Sequence, residues 1–229
     1  AKNNPLVGET TINPLNLLDG QYELAKTTTT LANISPYWNI TDNLVYRYRL
    51  GINYGVGNTR GNISGNVNVQ GITDLGWAGF ANNELLSTIH SHTLTYNKPL
   101  SEDLAFDFVG GYEYQTFDFS GYALAGRGFA VPDNDNTNAI QNSSNANKRF
   151  ISYADPISEL QSYFGRANFG YKGKYNLTAT LRADGSSKFG ENNQYGIFPS
   201  IGASWNIKSE DFLADNDNIS DLKLRLGWG

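Results

Sequence analysis

The sequence predicts an all-β fold, an antiparallel transmembrane β-barrel segment of about eight strands. Three observations carry the prediction. Apolar and polar residues alternate with period two over long stretches, the connections between those stretches alternate between short and long, and the arginines and aromatics within them are sorted by face. Composition agrees: 24 glycines, 14 tyrosines and only 17% charged residues point to β-structure with polar loops.

The first predicted strand runs through Ala32, Ile34, Pro36, Trp38 and Ile40, alternating with Asn33, Ser35, Tyr37 and Asn39. Thr41-Asp42-Asn43 turns it into a second strand, in which Leu44, Tyr46, Tyr48, Leu50, Ile52 and Tyr54 alternate with Val45, Arg47, Arg49, Gly51 and Asn53. Leu94 and Tyr96 belong to a third strand. The segment Lys98 to Asp103 leads from it into a fourth, where Leu104, Phe106, Phe108, Gly110, Tyr112 and Tyr114 oppose Asp107, Val109, Gly111, Glu113 and Gln115. The clearest hairpin joins Tyr163, Gly165, Ala167, Phe169 and Tyr171, through Lys172-Gly173-Lys174, to Tyr175, Leu177, Ala179 and Leu181. Ile197, Pro199, Ile201, Ala203, Trp205 and Ile207 form the seventh strand, and Leu222, Leu224, Leu226 and Trp228 the eighth.

Connections 41–43, 98–103 and 172–174 are short, whereas 58–85 and 119–157 are long, Gly/Asn-rich and without strong periodicity. Short turns on one rim and long loops on the other are the layout of outer-membrane barrels. Residues 209–219 exceed a hairpin turn and have room for one helical turn on the short-turn side.

Period two serves a soluble sandwich as well as a barrel in lipid. Strand length favours lipid, since the runs approach the roughly 9–11 residues that cross a bilayer at a tilt. Arg47, Arg49, Arg166, Arg182 and Arg225 all fall on the polar parity. On a lipid face each would cost about 2–4 kcal/mol at the midplane. Trp38, Tyr96, Tyr171, Tyr175 and Trp205 sit near short turns on the apolar parity, and Tyr54, Tyr112, Tyr114 and Tyr163 near long loops, which gives two aromatic belts.

Several classes are excluded. No run reaches the roughly 18 apolar residues of a membrane helix. A net charge of -5 and a pI near 5.0, without Lys/Arg clusters, argue against a nucleic-acid partner. With no cysteine there is neither a disulfide framework nor a thiolate site. The opening Ala1-Lys2-Asn3-Asn4 carries no targeting signal, as expected of a mature or internal piece.

The run Tyr175-Asn176-Leu177-Thr178-Ala179-Thr180-Leu181-Arg182-Ala183-Asp184-Gly185-Ser186-Ser187-Lys188-Phe189-Gly190 resembles the SusC/RagA family of TonB-dependent transporters. So do Glu159 to Arg166, Phe198-Pro199-Ser200, Ser204-Trp205, Ile219 to Arg225 and Asn13-Pro14-Leu15. The Asp-Gly-Ser-Ser element reverses the chain at a rim and names no substrate. The resemblance implies residues 1–229 are a portion of a plugged barrel of about 22 strands, with the plug domain and TonB box outside this chain. It further implies import of large nutrients, oligosaccharide or peptide, across the outer membrane of a Gram-negative, Bacteroidetes-type cell. A SusD-like surface lipoprotein and the TonB complex would be the partners.

No catalytic constellation is present and no cofactor is implied. Gly-x-Ser-x-Gly is absent, and neither histidine has a nucleophile and an orienting acid nearby in sequence. His90 and His92 share one strand face, but two ligands without a carboxylate are too few for a metal. Asp133-Asn134-Asp135-Asn136-Thr137-Asn138 opens like a calcium loop, yet its sixth position is Asn138 rather than Gly and its twelfth is Ser144 rather than Glu. On the polar parity Arg47, Arg49, Asp107, Glu113, Arg166, Arg182 and Asp184 would face a lumen, where they could hydrate a pore, contact a plug or pair with one another. Trp77, Phe80, Tyr122 and Phe129, assigned to long loops, are candidates to stack on sugars or touch a capping partner, with loop self-packing as the alternative. The strand count also permits a self-contained eight-stranded barrel for adhesion or anchoring.

Overall fold

A computed structural model describes residues 14–65, 67, 76–214 and 216–229. Asn13, the opening four residues, and residues 66 and 68–75 of the 58–85 connection lie outside the described residues. The elements are α1 (Pro14–Gly20), β1 (Gln21–Ile34), β2 (Tyr37–Thr41), β3 (Leu44–Ile63), β4 (Trp77–Pro99), β5 (Leu104–Arg127), β6 (Arg149–Ala154), β7 (Ser158–Tyr171), β8 (Tyr175–Ser186), β9 (Tyr195–Asn206), α2 (Asp211–Ala214) and β10 (Lys223–Trp228). They form one ten-stranded sheet in the order β1-β3-β4-β5-β7-β8-β9-β10, with β2 on β3 and β6 on β5. No helix among the described residues is long and apolar enough to cross a membrane.

Two units divide the chain, and β1, β3, β4 and β5 contribute to both. The larger holds Leu31–Ile52, Ser87–Phe117 and Ser158–Gly229. Within it β5 pairs β7 from Leu104↔Tyr171 to Phe117↔Ser158, and β7 pairs β8 from Leu160↔Ser186 to Tyr171↔Tyr175. β8 continues onto β9 from Tyr175↔Trp205 to Gly185↔Tyr195, and β9 onto β10 from Asn206↔Lys223 to Ile201↔Trp228, all antiparallel. Lys172 and Gly173 take φ of 53° and 65°, as the central residues of a tight hairpin turn require, and the Lys174 N–H closes it onto the Tyr171 carbonyl at 3.0 Å.

This unit is organised the opposite way from a water-soluble domain. No apolar side chain in it is buried among the described residues, whereas Ser87, Ser91 and Ser162 are. Leu177, Leu181, Ile197, Ile201 and Leu226 stand exposed on the apolar parity. A sandwich would bury that face against a second sheet.

The other unit holds residues up to Thr30, Asn53–Leu86 and Asp118–Ile157, and it does have a core: Ala78, Phe129 and Ile140, with Phe80 and Leu124 packed against them. β6 pairs β5 from Ser120↔Ala154 to Ala125↔Arg149. Polar contacts fold the segment beyond β5. The Asn136 N–H donates to Asn62 Oδ1 at 3.0 Å, and Ser64 Oγ donates to Asp133 Oδ1 at 3.1 Å.

Three expectations need correction. The stretch 32–40 is two strands, because Pro36 lacks an N–H for a ladder and the chain breaks at Ser35-Pro36. β1 extends back through Thr27 to Thr30, a run without alternation, and β6 lies inside the predicted 119–157 loop; with 32–40 divided, the strands among the described residues number ten rather than eight. β3 runs to Ile63, β4 begins at Trp77 and β5 continues to Arg127, so Trp77, Phe80 and Tyr122 are strand residues. At 20 to 24 residues these strands are about twice what a tilted crossing needs. Their glycines and asparagines hide the extra length, since strand pairing overrides weak local propensity.

Candidate functional site

On the polar parity of the larger unit, backbone register sets up a charged cluster. Glu113 on β5 lies opposite Ser162 on β7, which lies opposite Asp184 on β8. One step along, Gly111, Phe164 and Arg182 form the neighbouring row. A Cβ on Gly111 would come within 2.5 Å of the Phe164 ring, so glycine gives the phenyl its seat, and the Arg182 guanidinium lies 5.6 Å from the centroid of that ring. From there Arg182 Nε donates to Asp184 Oδ1 at 2.7 Å, and its Nη2 lies 3.6 Å from Glu113 Oε2. Glu113 also meets Arg49 Nη2 at 3.7 Å and accepts from Ser91 Oγ at 3.1 Å.

Strands β3, β5 and β8 therefore meet through two arginines and two carboxylates, a neutral set around Glu113, with Ser91 tying in β4 and the Phe164 ring tying in β7. The arginines are roughly half exposed, so each pair contributes on the order of 0.2–1 kcal/mol. A cleft of about 270 Å³ opens beside the cluster, lined by Gln115, Ser162, Arg182 and Asp184 with Ile89 and Leu160. Four of the seven polar-parity residues singled out from the sequence thus converge. The other three do not join them: Arg47 lies 5.8 Å from the Tyr37 ring centroid, Arg166 Nε donates to Thr180 Oγ1 at 3.1 Å, and Asp107 stands opposite Asn168. Ser91, Ser162 and Phe164 belong to the cluster as well, and nothing in their local sequence marks them.

Across the apolar parity, aromatic rows cross the strands. Tyr171, Tyr175, Trp205 and Leu224 form one, with Tyr175 and Trp205 stacked at 13°. The next is Phe169, Leu177, Ala203 and Leu226. Tyr46 Oη and His92 Nδ1 are hydrogen-bonded at 2.7 Å, and Tyr48 Oη and His90 Nδ1 at 2.8 Å. Each histidine thereby satisfies a tyrosine on a face that could not otherwise bury either polar group cheaply. Groups of three or more metal-ligating side chains are absent among the described residues.

The short-turn end of this face is tied to the β9–β10 connection. Glu210 accepts from Tyr175 Oη at 2.6 Å, Trp205 Nε1 at 2.9 Å and Lys174 Nζ at 3.0 Å. Those hydrogen bonds, that of Tyr175 foremost, hold its carboxyl down at about 2. The connection contains a 3₁₀ turn at Ile207–Ser209 and then α2, in keeping with the helical turn expected there.

In the smaller unit the aromatic candidates separate. Phe129 is only 3% exposed and belongs to the core, so its ring is not available for stacking on a solute. Phe80 packs half-buried at 6.3 Å from the Tyr122 ring, and Tyr122 is the most open of the four at 44%. Trp77 flanks a small cleft with Arg127 and Arg149. The calcium-like run spends its carboxylates internally: Asp135 accepts from Tyr22 Oη at 2.6 Å and from Thr137 Oγ1 at 2.7 Å. Burial would raise the Asp135 carboxyl, but those hydrogen bonds outweigh it and hold the group below the usual range.

Long antiparallel strands that expose their apolar parity and bury serine on the other define a membrane-spanning β-barrel wall. The chain matches the family described as TonB dependent receptor-like, beta-barrel, over residues 3–229, and it belongs to that family. It is 31% identical to TonB-dependent receptor P3 of Formosa agariphila over 97% of this chain and 22% of that protein. To TonB-dependent receptor SusC of Bacteroides thetaiotaomicron it is 36% identical over 67% of this chain and 14% of that protein. Among solved structures, the RagAB peptide transporter superposes with a TM-score of 0.85 at 19% identity, covering 99% of this chain and 25% of that one. At that identity the likeness speaks for the fold. The chain spans about a fifth of the length of the P3 receptor. The two relatives are named as TonB-dependent receptors and the superposed structure as a peptide transporter, and the SusC/RagA resemblance of the sequence holds.

Proposed function

We propose that this chain is part of the wall of a larger plugged barrel, of about 22 strands, that imports oligosaccharides or peptides across the outer membrane. TonB would supply the energy and a SusD-like surface lipoprotein would cap the pore. The observation that carries this reading is the inverted burial of the larger unit, apolar parity exposed and serine parity buried, in a chain of the TonB-dependent receptor family. The polar parity then faces the lumen. There the Arg49–Glu113–Arg182–Asp184 cluster fixes the inner wall in a neutral, hydrogen-bonding state against which a plug can seat and a polar solute can pass. Tyr122, open at the end of β5, and Trp77 are the aromatic surfaces offered toward the long-loop side.

The test is uptake by whole cells that express the complete protein, offered a fluorescent oligosaccharide or peptide. Accumulation is expected to require the complete protein and to stop when TonB is deleted or the proton gradient collapsed. Accumulation that continues without TonB would overturn the reading.

A further inference from the structure

On the apolar face of the larger unit, where β8, β9 and β10 lie side by side, the second aromatic row contains a gap. Ala203 sits between Leu177 and Leu226 in register, with Trp205 two residues along its own strand. A methyl where its neighbours carry isobutyl groups leaves a groove of about 310 Å³, lined almost wholly by carbon. The stacked rings of Tyr175 and Trp205 wall its short-turn end.

Belt aromatics ordinarily offer their polar atoms to lipid headgroups. Here Tyr175 Oη and Trp205 Nε1 both donate to Glu210, so the two rings present apolar faces to the groove and no free donor. Of the two lysines in the β7–β8 turn, Lys174 is held by Glu210, and Lys172 places its Nζ 5.4 Å from the centroid of the Tyr171 ring. It makes only a loose 3.7 Å pair with Asp103 and is half exposed. An apolar slot, continuous with the membrane-facing surface and topped by an available ammonium, complements a phospholipid: an acyl chain below and a phosphate above.

We propose that this groove retains one phospholipid of the short-turn leaflet, one acyl chain lying over Ala203 and its phosphate on Lys172. The proposal rests on the apolar parity facing lipid. Retention depends on the gap, so filling it should expel the chain, while an equal change elsewhere on the same face should not.

The complete outer-membrane protein is purified in detergent, stripped of lipid, and titrated with dioleoyl phosphatidylethanolamine while retained lipid is counted by native mass spectrometry. Folding of each variant is checked by heat-modifiable gel mobility. One retained lipid is expected for the unaltered protein and for Leu181→Phe, which lies on the same face outside the groove. Ala203→Phe should weaken retention about ten-fold, and Lys172→Gln by a smaller factor. Equal retention by Ala203→Phe and the unaltered protein overturns the site. A spin label at Leu177→Cys separates the two ideas. Relaxation by oxygen confirms that the face meets lipid even if the site fails, whereas relaxation by a nickel chelate overturns both.

Discussion

Trp205 and Glu210, five residues apart, are joined by a 2.9 Å hydrogen bond from the indole Nε1 to the carboxylate Oε1. Tyr175 Oη reaches the same oxygen at 2.6 Å from the neighbouring strand, so one acid in a connection satisfies two belt aromatics. The pair fixes where the β9–β10 connection returns to the sheet, and it gives that corner a pH dependence. Because the folded carboxyl is held at about 2, below the roughly 4.3 of an unfolded Glu, its contribution is complete above about pH 4.5. That contribution fades as pH falls toward 2, where the folded group protonates too. Thermal unfolding of the complete protein followed from pH 7 to pH 2 should show the loss, and Glu210→Gln should flatten that part of the profile. A variant profile parallel to the unaltered one would count against the assignment.

Glu113 is the shared partner of Arg49, Arg182 and Ser91, so Glu113→Ala should destabilise more than Arg49→Ala. Arg49 alone makes a surface-grade contact, for which about 0.2–1 kcal/mol is expected in denaturant unfolding. Losing Glu113 sets two cations side by side. A larger cost for Arg49→Ala would mean that the cluster is not centred on Glu113.

Phe129→Ala and Tyr122→Ala separate a core residue from an exposed surface residue. Removing the buried phenyl should cost about 3–5 kcal/mol of stability. The exposed tyrosine should cost far less, and its loss should instead weaken uptake. Calorimetry on both variants, beside the uptake assay, distinguishes the roles.

Tyr48 and Arg47 are neighbours of opposite parity. Tyr48 is bonded to His90 on the apolar face, and Arg47 lies by Tyr37 on the polar one. Tyr48→Arg should reduce folded protein in the outer membrane several-fold more than Arg47→Tyr, since only the former places a charge in hydrocarbon. Quantifying the heat-modifiable species in membranes checks this, and equal losses would contradict it.

Much of this fold is legible in the sequence, for a physical reason. Where one face must be apolar and the other polar, period two is written directly into the chain, as in the Tyr163–Tyr171 and Tyr175–Leu181 hairpin. Lys172-Gly173 supplies a turn that demands positive φ. The first part of β1 and all of β6 escaped because Thr27 to Thr30 and Arg149 to Ala154 alternate no hydrophobicity. The sequence marked Arg49, Glu113, Arg182 and Asp184 as residues of one parity but not as one cluster. Their meeting depends on register between strands up to about 130 residues apart, and on Gly111 leaving room for Phe164, neither of which local pattern encodes. Glu210 was hidden differently: its role depends on a connection folding back onto two aromatics, and one acidic residue in a polar stretch carries no such signal.

The two parities of the larger unit meet different solvents, lipid on one side and water on the other. Single cysteines placed at each position from 176 to 182 along β8 of the complete protein, in intact membranes, test it most directly with a small water-soluble maleimide. Labelling is expected at Asn176, Thr178, Thr180 and Arg182, with protection at Leu177, Ala179 and Leu181. Uniform labelling, or the reverse alternation, would contradict it.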